Sequence, residues 1–196
     1  MNIFCIGRNY AEHAKELGNA IPDSPIVFLK PSGSYIEQPT LISLPWIVGA
    51  IHHEVEIVIR MGAKLEPKDW SIGIDLTARD VQNVAKEKGQ PWTFAKGLKN
   101  FAPVGNWVKF EQDWKSTKWS LGLSVDGTEK QNGSSEMMLW NVPRLIKLVD
   151  ESFGLKEGDL IFTGTPKGVG PLGHGSKVEA LGESSGSCSN LKFQCQ

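Results

Sequence analysis

The sequence predicts a mixed α/β fold dominated by strands, with a few short helices. Three observations carry this. Short runs rich in branched and aromatic residues recur along the chain, a composition that suits a pleated, half-buried surface. Turn formers separate them: 21 Gly and 11 Pro in 196 residues fall at frequent punctuation points. Three stretches carry a helical period, and they do not alternate regularly with the strands, so a doubly wound parallel sheet is not expected. The expected organisation is one catalytic-sized domain over residues 1–196, long enough to bury a sizeable core.

The elements follow in order. NIFCIG, residues 2–7, reads as a strand, and YAEHAKELG, residues 10–18, as a short helix closed by Gly18. PIVFLK, residues 25–30, is a strand. In residues 53–60, HEVEIVIR, the apolar Val55, Ile57, Val58 and Ile59 suit a buried strand. SIGIDLTARDVQNVAKEKG changes period partway. Ile72, Ile74 and Leu76 alternate as in a strand; a helix then begins at Thr77, with Asp80 as its capping-box partner, and stops at Gly89. LGLSVDGTEKQNG is a hairpin turning at Asp126-Gly127. NVPRLIKLVDESFG is an amphipathic helix with Val142, Leu145, Ile146 and Val149 on one side and Pro143 in its first turn. GDLIFTGTPKGVG runs from a strand into a Gly-rich loop. KVEALG is the last strand, and the Ser/Gly-rich GESSGSCSN, residues 182–190, reads as a loop near the end.

Composition narrows the function. A formal net charge of −1 with no basic stripe argues against nucleic acid or an anionic membrane surface as partner. No apolar run approaches the length of a membrane span. MNIFCIGRNY lacks the basic and apolar regions of a signal peptide. Cys5, Cys188 and Cys195 are too few for a disulfide framework. A reducing cytoplasm is the expected compartment.

Glu54 and Glu56 stand in the middle of the apolar strand, and a strand places i and i+2 on one face. Two like charges buried side by side are costly. Two readings resolve this: a divalent cation between them, with Asp75 as a third oxygen ligand, or an edge strand whose carboxylates face water. An all-carboxylate set is hard and suits Mg²⁺, Mn²⁺ or Ca²⁺. His52 shares their face and offers a weaker, His-containing variant; His53 is expected to pack on the other side.

Other residues offer chemistry or a plainer role. His13 and Glu16 are i and i+3 on a helix, so they are either a base with its orienting carboxylate or a surface ion pair. Lys96 follows Pro91-Trp92 and either faces an anionic oxygen or stays on the surface. Arg79 and Gln82, i and i+3 after Asp75, either reach the same pocket or are solvated. Thr163 and Thr165 in TGTPKGVG offer hydroxyls and backbone N–H groups to an anion, without the spacing of a nucleotide P-loop. Cys5 in its apolar strand is expected in the core. No G-x-S-x-G elbow exists for a serine hydrolase.

Taken together, GRNYAEHAKELGN, FLKPSGS, HHEVEIVI, IDLTARDVQ, PWTFAKGLKNFAPVG and GDLIFTGTPKGVG resemble, in this order, the fumarylacetoacetate hydrolase family. The likeness is to its short members, acylpyruvate hydrolases and oxaloacetate decarboxylases. The resemblance implies a β-roll fold and a homodimer. It implies Mg²⁺ or Mn²⁺ (Ca²⁺ in crystals) held by Glu54, Glu56 and Asp75. It implies a water-activating dyad of His13 and Glu16, a lysine near substrate oxygens at Lys96, and Arg79, Gln82 and Thr165 around the pocket. The implied reaction is hydrolysis of a C–C bond in a small acylpyruvate-type dicarbonyl acid. Oxaloacetate decarboxylation or keto–enol isomerisation on the same site is the alternative. A non-catalytic ligand-binding protein of this fold would be marked by loss of one of these residues, and all are present. The ending GESSGSCSNLKFQCQ departs from the family's usual one, which bears on substrate choice and the dimer edge.

Overall fold

The branched runs become the strands of one large mixed sheet in the computed structural model, which describes residues 1–16, 22–110 and 113–196. In spatial order it runs Ile26–Lys30, Ile3–Gly7, Leu160–Phe162, Val55–Met61, Pro67–Ile74, Ala102–Val104 and Tyr35–Glu37. Val108–Lys109 also pairs with Pro67–Ile74. Ile3–Gly7 lies parallel to Leu160–Phe162, while Val55–Met61 is antiparallel to both its neighbours. A second sheet is ordered Thr128–Ser134, Ser120–Val125, Lys177–Ser184, Ser187–Cys195 and Leu41–Ile42. Gly170–Leu172, Ile51–His53 and Thr77–Ala78 make a small third one. The helices among the described residues are α1 (Ala11–Glu16), α2 (Arg79–Glu87), α3 (Thr93–Lys96) and α4 (Val142–Phe153). The fold is the strand-dominated mixed α/β class expected. None of these helices is long and apolar enough to cross a membrane.

Both faces of the large sheet are covered. Ile57, Ile59, Ile72 and Ile74 share one buried cluster with Leu121, Leu123, Val178, Leu191 and Phe193 of the second sheet, and with Leu145 and Val149 of α4. Burying each such side chain contributes roughly 1.5–3 kcal/mol. Ile3, Cys5, Val58, Val104 and Phe162 form a smaller cluster. Strand alternation puts Glu56 on the same side as Val58, and hence on this second face. Cys5 is a core residue, and burial pushes its thiol up.

Several local expectations hold. Ser120–Val125 and Thr128–Ser134 turn at Asp126 and Gly127, both at positive φ, as a tight hairpin requires. In α4 the Asn141 side chain accepts from Arg144 N, and Gly154 closes the helix in the left-handed region. Others need correction. The strand expected over residues 53–60 is broken at Glu54, which separates Ile51–His53 from Val55–Met61. Thr77 pairs with His52 instead of starting a helix, and α2 begins two residues later. Asp80 accepts from Ala50 N and caps nothing at Thr77. Residues 182–190 are not a loop: Lys177–Ser184 and Ser187–Cys195 form a long hairpin turning at Ser185-Gly186, so KVEALG is not the last strand. The expected stop of the first helix, Gly18, lies outside the described residues.

Candidate active site

Glu54 and Asp75 are the residues just past the end of one strand pair. Val55 pairs with Ile74, and beyond it Asp75 N donates to Glu54 O at 2.8 Å. That bond brings the two side chains together where the strands part. Glu56 sits two residues along, opposite Gly73. A Cβ on Gly73 would lie 2.6 Å from Val58 Cγ2, so only glycine keeps this face flat beside Glu56. Carboxylate oxygens of Glu54, Glu56 and Asp75 lie within 4.8 Å of one another, and all three residues are buried. The wet edge strand is excluded by that burial.

Cations surround two of the three. Lys96, the last residue of α3, donates to Glu54 Oε2 at 2.8 Å and to Asp75 Oδ2 at 2.5 Å. Arg79, at the start of α2, donates to Glu54 Oε1 at 2.5 Å and to Gln82 Oε1 at 2.6 Å. Lys30 Nζ lies 2.6 Å from Asp75 Oδ1 and also donates to the carbonyls of Leu76, Lys96 and Phe101. Burial alone would raise the Glu54 carboxyl, but Lys96 and Arg79 hold it well below the usual carboxylate range. Burial likewise opposes the charge on Lys96, and Asp75 with Glu54 push its ammonium above the ordinary value.

Glu56 is the odd member. Its Oε2 accepts from Gly164 N at 2.7 Å, and neither Lys30, Lys96 nor Arg79 bonds it. Burial first, then Asp75 and Glu54, push its carboxyl well above the usual range. The cluster therefore lacks positive charge at Glu56, and Asp75 Oδ1 takes no hydrogen bond of good geometry despite the nearby Lys30. Three converging buried carboxylates, one of them with no cation bonded to it, fit a hard divalent cation, and Lys96 bridges the other two.

Gly164 makes its bond to Glu56 through a demanding backbone. Its φ is +99°, and a Cβ there would lie 2.7 Å from Asn9 Cβ. Asn9 packs tightly because its side chain ties the loop to the rest of the fold. It donates to Thr163 O and Trp140 O and accepts from Trp140 N.

One cavity of about 30 Å³ collects nearly every residue singled out from the sequence: His13, Glu54, Glu56, Asp75, Arg79, Gln82, Lys96 and Thr165 line it. Glu16 does not. His13 Nδ1 lies 3.5 Å from Glu16 Oε2, the outer limit of a hydrogen bond, while both Glu16 oxygens accept from Gly168 N at 3.1 Å. Burial lowers the His13 pKa below its ordinary value against the pull of Glu54 and Glu16, so the ring is neutral at pH 7. The Thr163 hydroxyl is committed to Ile57 O at 2.9 Å. His52 and His53 lie outside the carboxylate cluster; burial and then Arg79 bring His52 down to about 4.

Sequence reasoning missed Lys30, and it missed Arg8, Phe28, Lys86 and Trp92 in the cavity wall. Lys30 had a usable signal, a lysine closing an apolar strand just before Pro31. Arg8, Phe28 and Trp92 had none beyond their presence in the matching stretches, and Lys86 lies outside those stretches.

The profile described as "Fumarylacetoacetate (FAA) hydrolase C-terminal" matches residues 2–191. The mitochondrial oxaloacetate tautomerase FAHD1 of Arabidopsis thaliana is 42% identical over 188 residues, 91% of this chain and 84% of that protein. The mitochondrial oxaloacetate decarboxylase of Dictyostelium discoideum is 42% identical over 188 residues, 90% of this chain and 86% of that protein. The crystal structure of fumarylpyruvate hydrolase from Pseudomonas aeruginosa, in complex with Mn²⁺ and pyruvate, superposes with a TM-score of 0.89. It is 28% identical and covers 100% of this chain and 90% of its own.

Proposed function

Because this chain belongs to the fumarylacetoacetate hydrolase family, we propose that residues 1–196 are one catalytic domain acting on a small α-keto acid with a second carbonyl or carboxyl group. Oxaloacetate is the first candidate. The carrying observation is one cavity holding three buried carboxylates, a neutral His13 and the cations Arg79 and Lys96. Similarity to the Arabidopsis tautomerase and the Dictyostelium decarboxylase supports oxaloacetate ahead of an acylpyruvate.

Glu54, Glu56 and Asp75 would hold Mg²⁺ or Mn²⁺. When bound, that ion supplies Lewis-acid stabilisation of negative charge on the substrate's oxygens. The chain's own residues do the rest. Arg79, oriented by Gln82, and Lys96 present donors to the substrate's anionic oxygens. His13 moves the proton. In tautomerisation it takes a proton from the carbon between the two carbonyl groups and returns one to the enol oxygen or the carbon. In decarboxylation the electrons of the breaking C–C bond pass to the keto oxygen as CO₂ leaves, and His13 relays a proton from water to that carbon as the keto group re-forms.

Hydrolysis of an acylpyruvate is the second reading, supported by the similarity to the Pseudomonas aeruginosa fumarylpyruvate hydrolase. His13 takes a proton from water, hydroxide attacks the distal carbonyl, and the C–C bond breaks to give a carboxylic acid and the enol of pyruvate.

The cavity has room for a water or two, less than any of these substrates. α1, which carries His13, is held to the neighbouring loop through Glu16 to Gly168 N and Glu12 to Lys167, and its parting from that loop would widen the cavity. A homodimer belongs to the same proposal. Ile47 and Phe94, 97% and 78% exposed, suit burial against a second copy, and light scattering reads it directly. The deciding experiment assays oxaloacetate and acetylpyruvate side by side, in EDTA and with Mn²⁺. Turnover of neither, or Mn²⁺ affinity retained in Glu56→Ala, overturns the assignment.

A further inference from the structure

Gln131 stands outside the cavity wall yet governs one of its hydroxyls. It is 1% exposed, in the middle of Thr128–Ser134, where Glu129, Lys130 and Asn132 face solvent. A buried amide needs all its hydrogen bonds, and here four are made. Oε1 faces Val55 N at 3.0 Å and His53 Nδ1 at 2.9 Å; Nε2 faces Thr165 Oγ1 at 2.8 Å and Pro166 O at 2.9 Å.

The directions are forced. A backbone N–H only donates, so the atom facing Val55 is the amide oxygen. A peptide carbonyl only accepts, so the atom facing Pro166 is the NH₂ group. His53 therefore donates through Nδ1, and Thr165 Oγ1 accepts from Gln131. A hydroxyl has one proton. With a lone pair of Oγ1 occupied by Gln131, that proton is left for another acceptor, and Thr165 lines the cavity. The strand carrying Gln131 is also the backing of this loop. A Cβ on Gly168 would lie 2.0 Å from Lys130 O, and one on Gly133 2.7 Å from Pro166 Cβ.

We propose that Gln131 is a positioning residue that commits Thr165 to donate its hydroxyl proton to an anionic oxygen of the substrate. The inference rests on reading the cavity as the site of an α-keto acid enzyme. It assigns the second sheet a part in a site whose other residues come from the first sheet, the helices α1 to α3 and the loops beside them.

The test is a double-mutant cycle of Gln131→Met and Thr165→Val on kcat/KM for oxaloacetate with Mn²⁺, repeated as oxalate affinity of the Mn²⁺ protein by calorimetry. Thr165→Val is expected to lower both about three- to tenfold, with Thr165→Ser close to wild type. Gln131→Met is expected to lower both to a similar extent in the wild-type background and not at all in the Thr165→Val background. Gln131→Asn, which keeps the amide but not its reach, serves where the Met variant fails to fold. An equal loss in both backgrounds, or no loss in either, overturns the proposal. A wild type that turns over neither keto acid and binds no oxalate overturns the functional reading and this inference with it.

Discussion

Replacing Lys96 by Met isolates what its ammonium does for the buried carboxylates. Methionine nearly keeps the volume and removes the charge that bridges Glu54 and Asp75. Removing one partner of a buried ion pair costs about 3–5 kcal/mol. The lower end applies here, because Arg79 still holds Glu54 and Lys30 still holds Asp75. In a chain of this length a kcal/mol moves the melting temperature by about 2–4 °C, so the metal-free variant should melt roughly 6–12 °C below wild type. The pH dependence has a defined sign. Glu54, depressed when folded, contributes stability that is present above its unfolded pKa of about 4.3 and lost as pH falls. Lys96, raised when folded, contributes stability that is present below about 10.4 and lost as pH rises through its folded value. The gap between wild type and variant is therefore full from about pH 5 to 10 and narrows outside. Thermal melts in EDTA across that range are the assay, repeated with Mn²⁺, which should restore most of the loss. A variant within about 2 °C of wild type in EDTA at pH 7.5 would refute the reasoning.

Three further outcomes are expected. Glu56→Gln should stabilise the metal-free protein at pH 8 by about 1–2 kcal/mol, because the raised carboxyl costs stability once pH passes its unfolded value; the gain should vanish below pH 4, and Mn²⁺ binding should be lost. Gly164→Ala should cost at least about 1 kcal/mol in a denaturant titration and weaken Mn²⁺ binding, since positive φ and the approach to Asn9 leave no room for a methyl group. His13→Ala should bind Mn²⁺ as wild type does and lose roughly 10²–10⁴ in kcat; unchanged turnover would remove His13 from the base role.

Where burial and period agree, the sequence is legible. Val142, Leu145, Ile146 and Val149 mark one face of α4, and all four are buried. Glu54, Glu56 and Asp75 betrayed themselves as carboxylates in apolar company, and the structure brings them together. The hairpin over residues 177–195 was hidden by its composition, for a physical reason. A Cβ on Gly182 would lie 3.3 Å from Ile72 Cδ1 and Trp70 Cζ3, so the sheets approach too closely for larger side chains. Ser189 is buried for a second reason: its hydroxyl bonds Ile72 N and Asn106 O across the sheets. Small residues chosen for close packing read as a loop. Lys30 and Gln131 were hidden differently. Lys30 closes an apolar strand and Gln131 sits in a polar one, and only contacts with Asp75 and Thr165, distant in the chain, show what each does.

The pairing of Ile3–Gly7 with Leu160–Phe162 also sets a clock. Asn2 and Asp159, bonded to each other, are 157 residues apart. Contacts this distant pay a loop-closure entropy that local ones avoid, and they form late. On a ribosome, the first strand must wait with its hydrogen bonds to one side unmade until residue 160 has emerged. Glu56 waits as well, since Gly164 N, which bonds it, arrives in the same stretch. A nascent chain stalled before that point would hold three carboxylates on a half-built sheet and an open strand edge, the form most exposed to chaperones and aggregation.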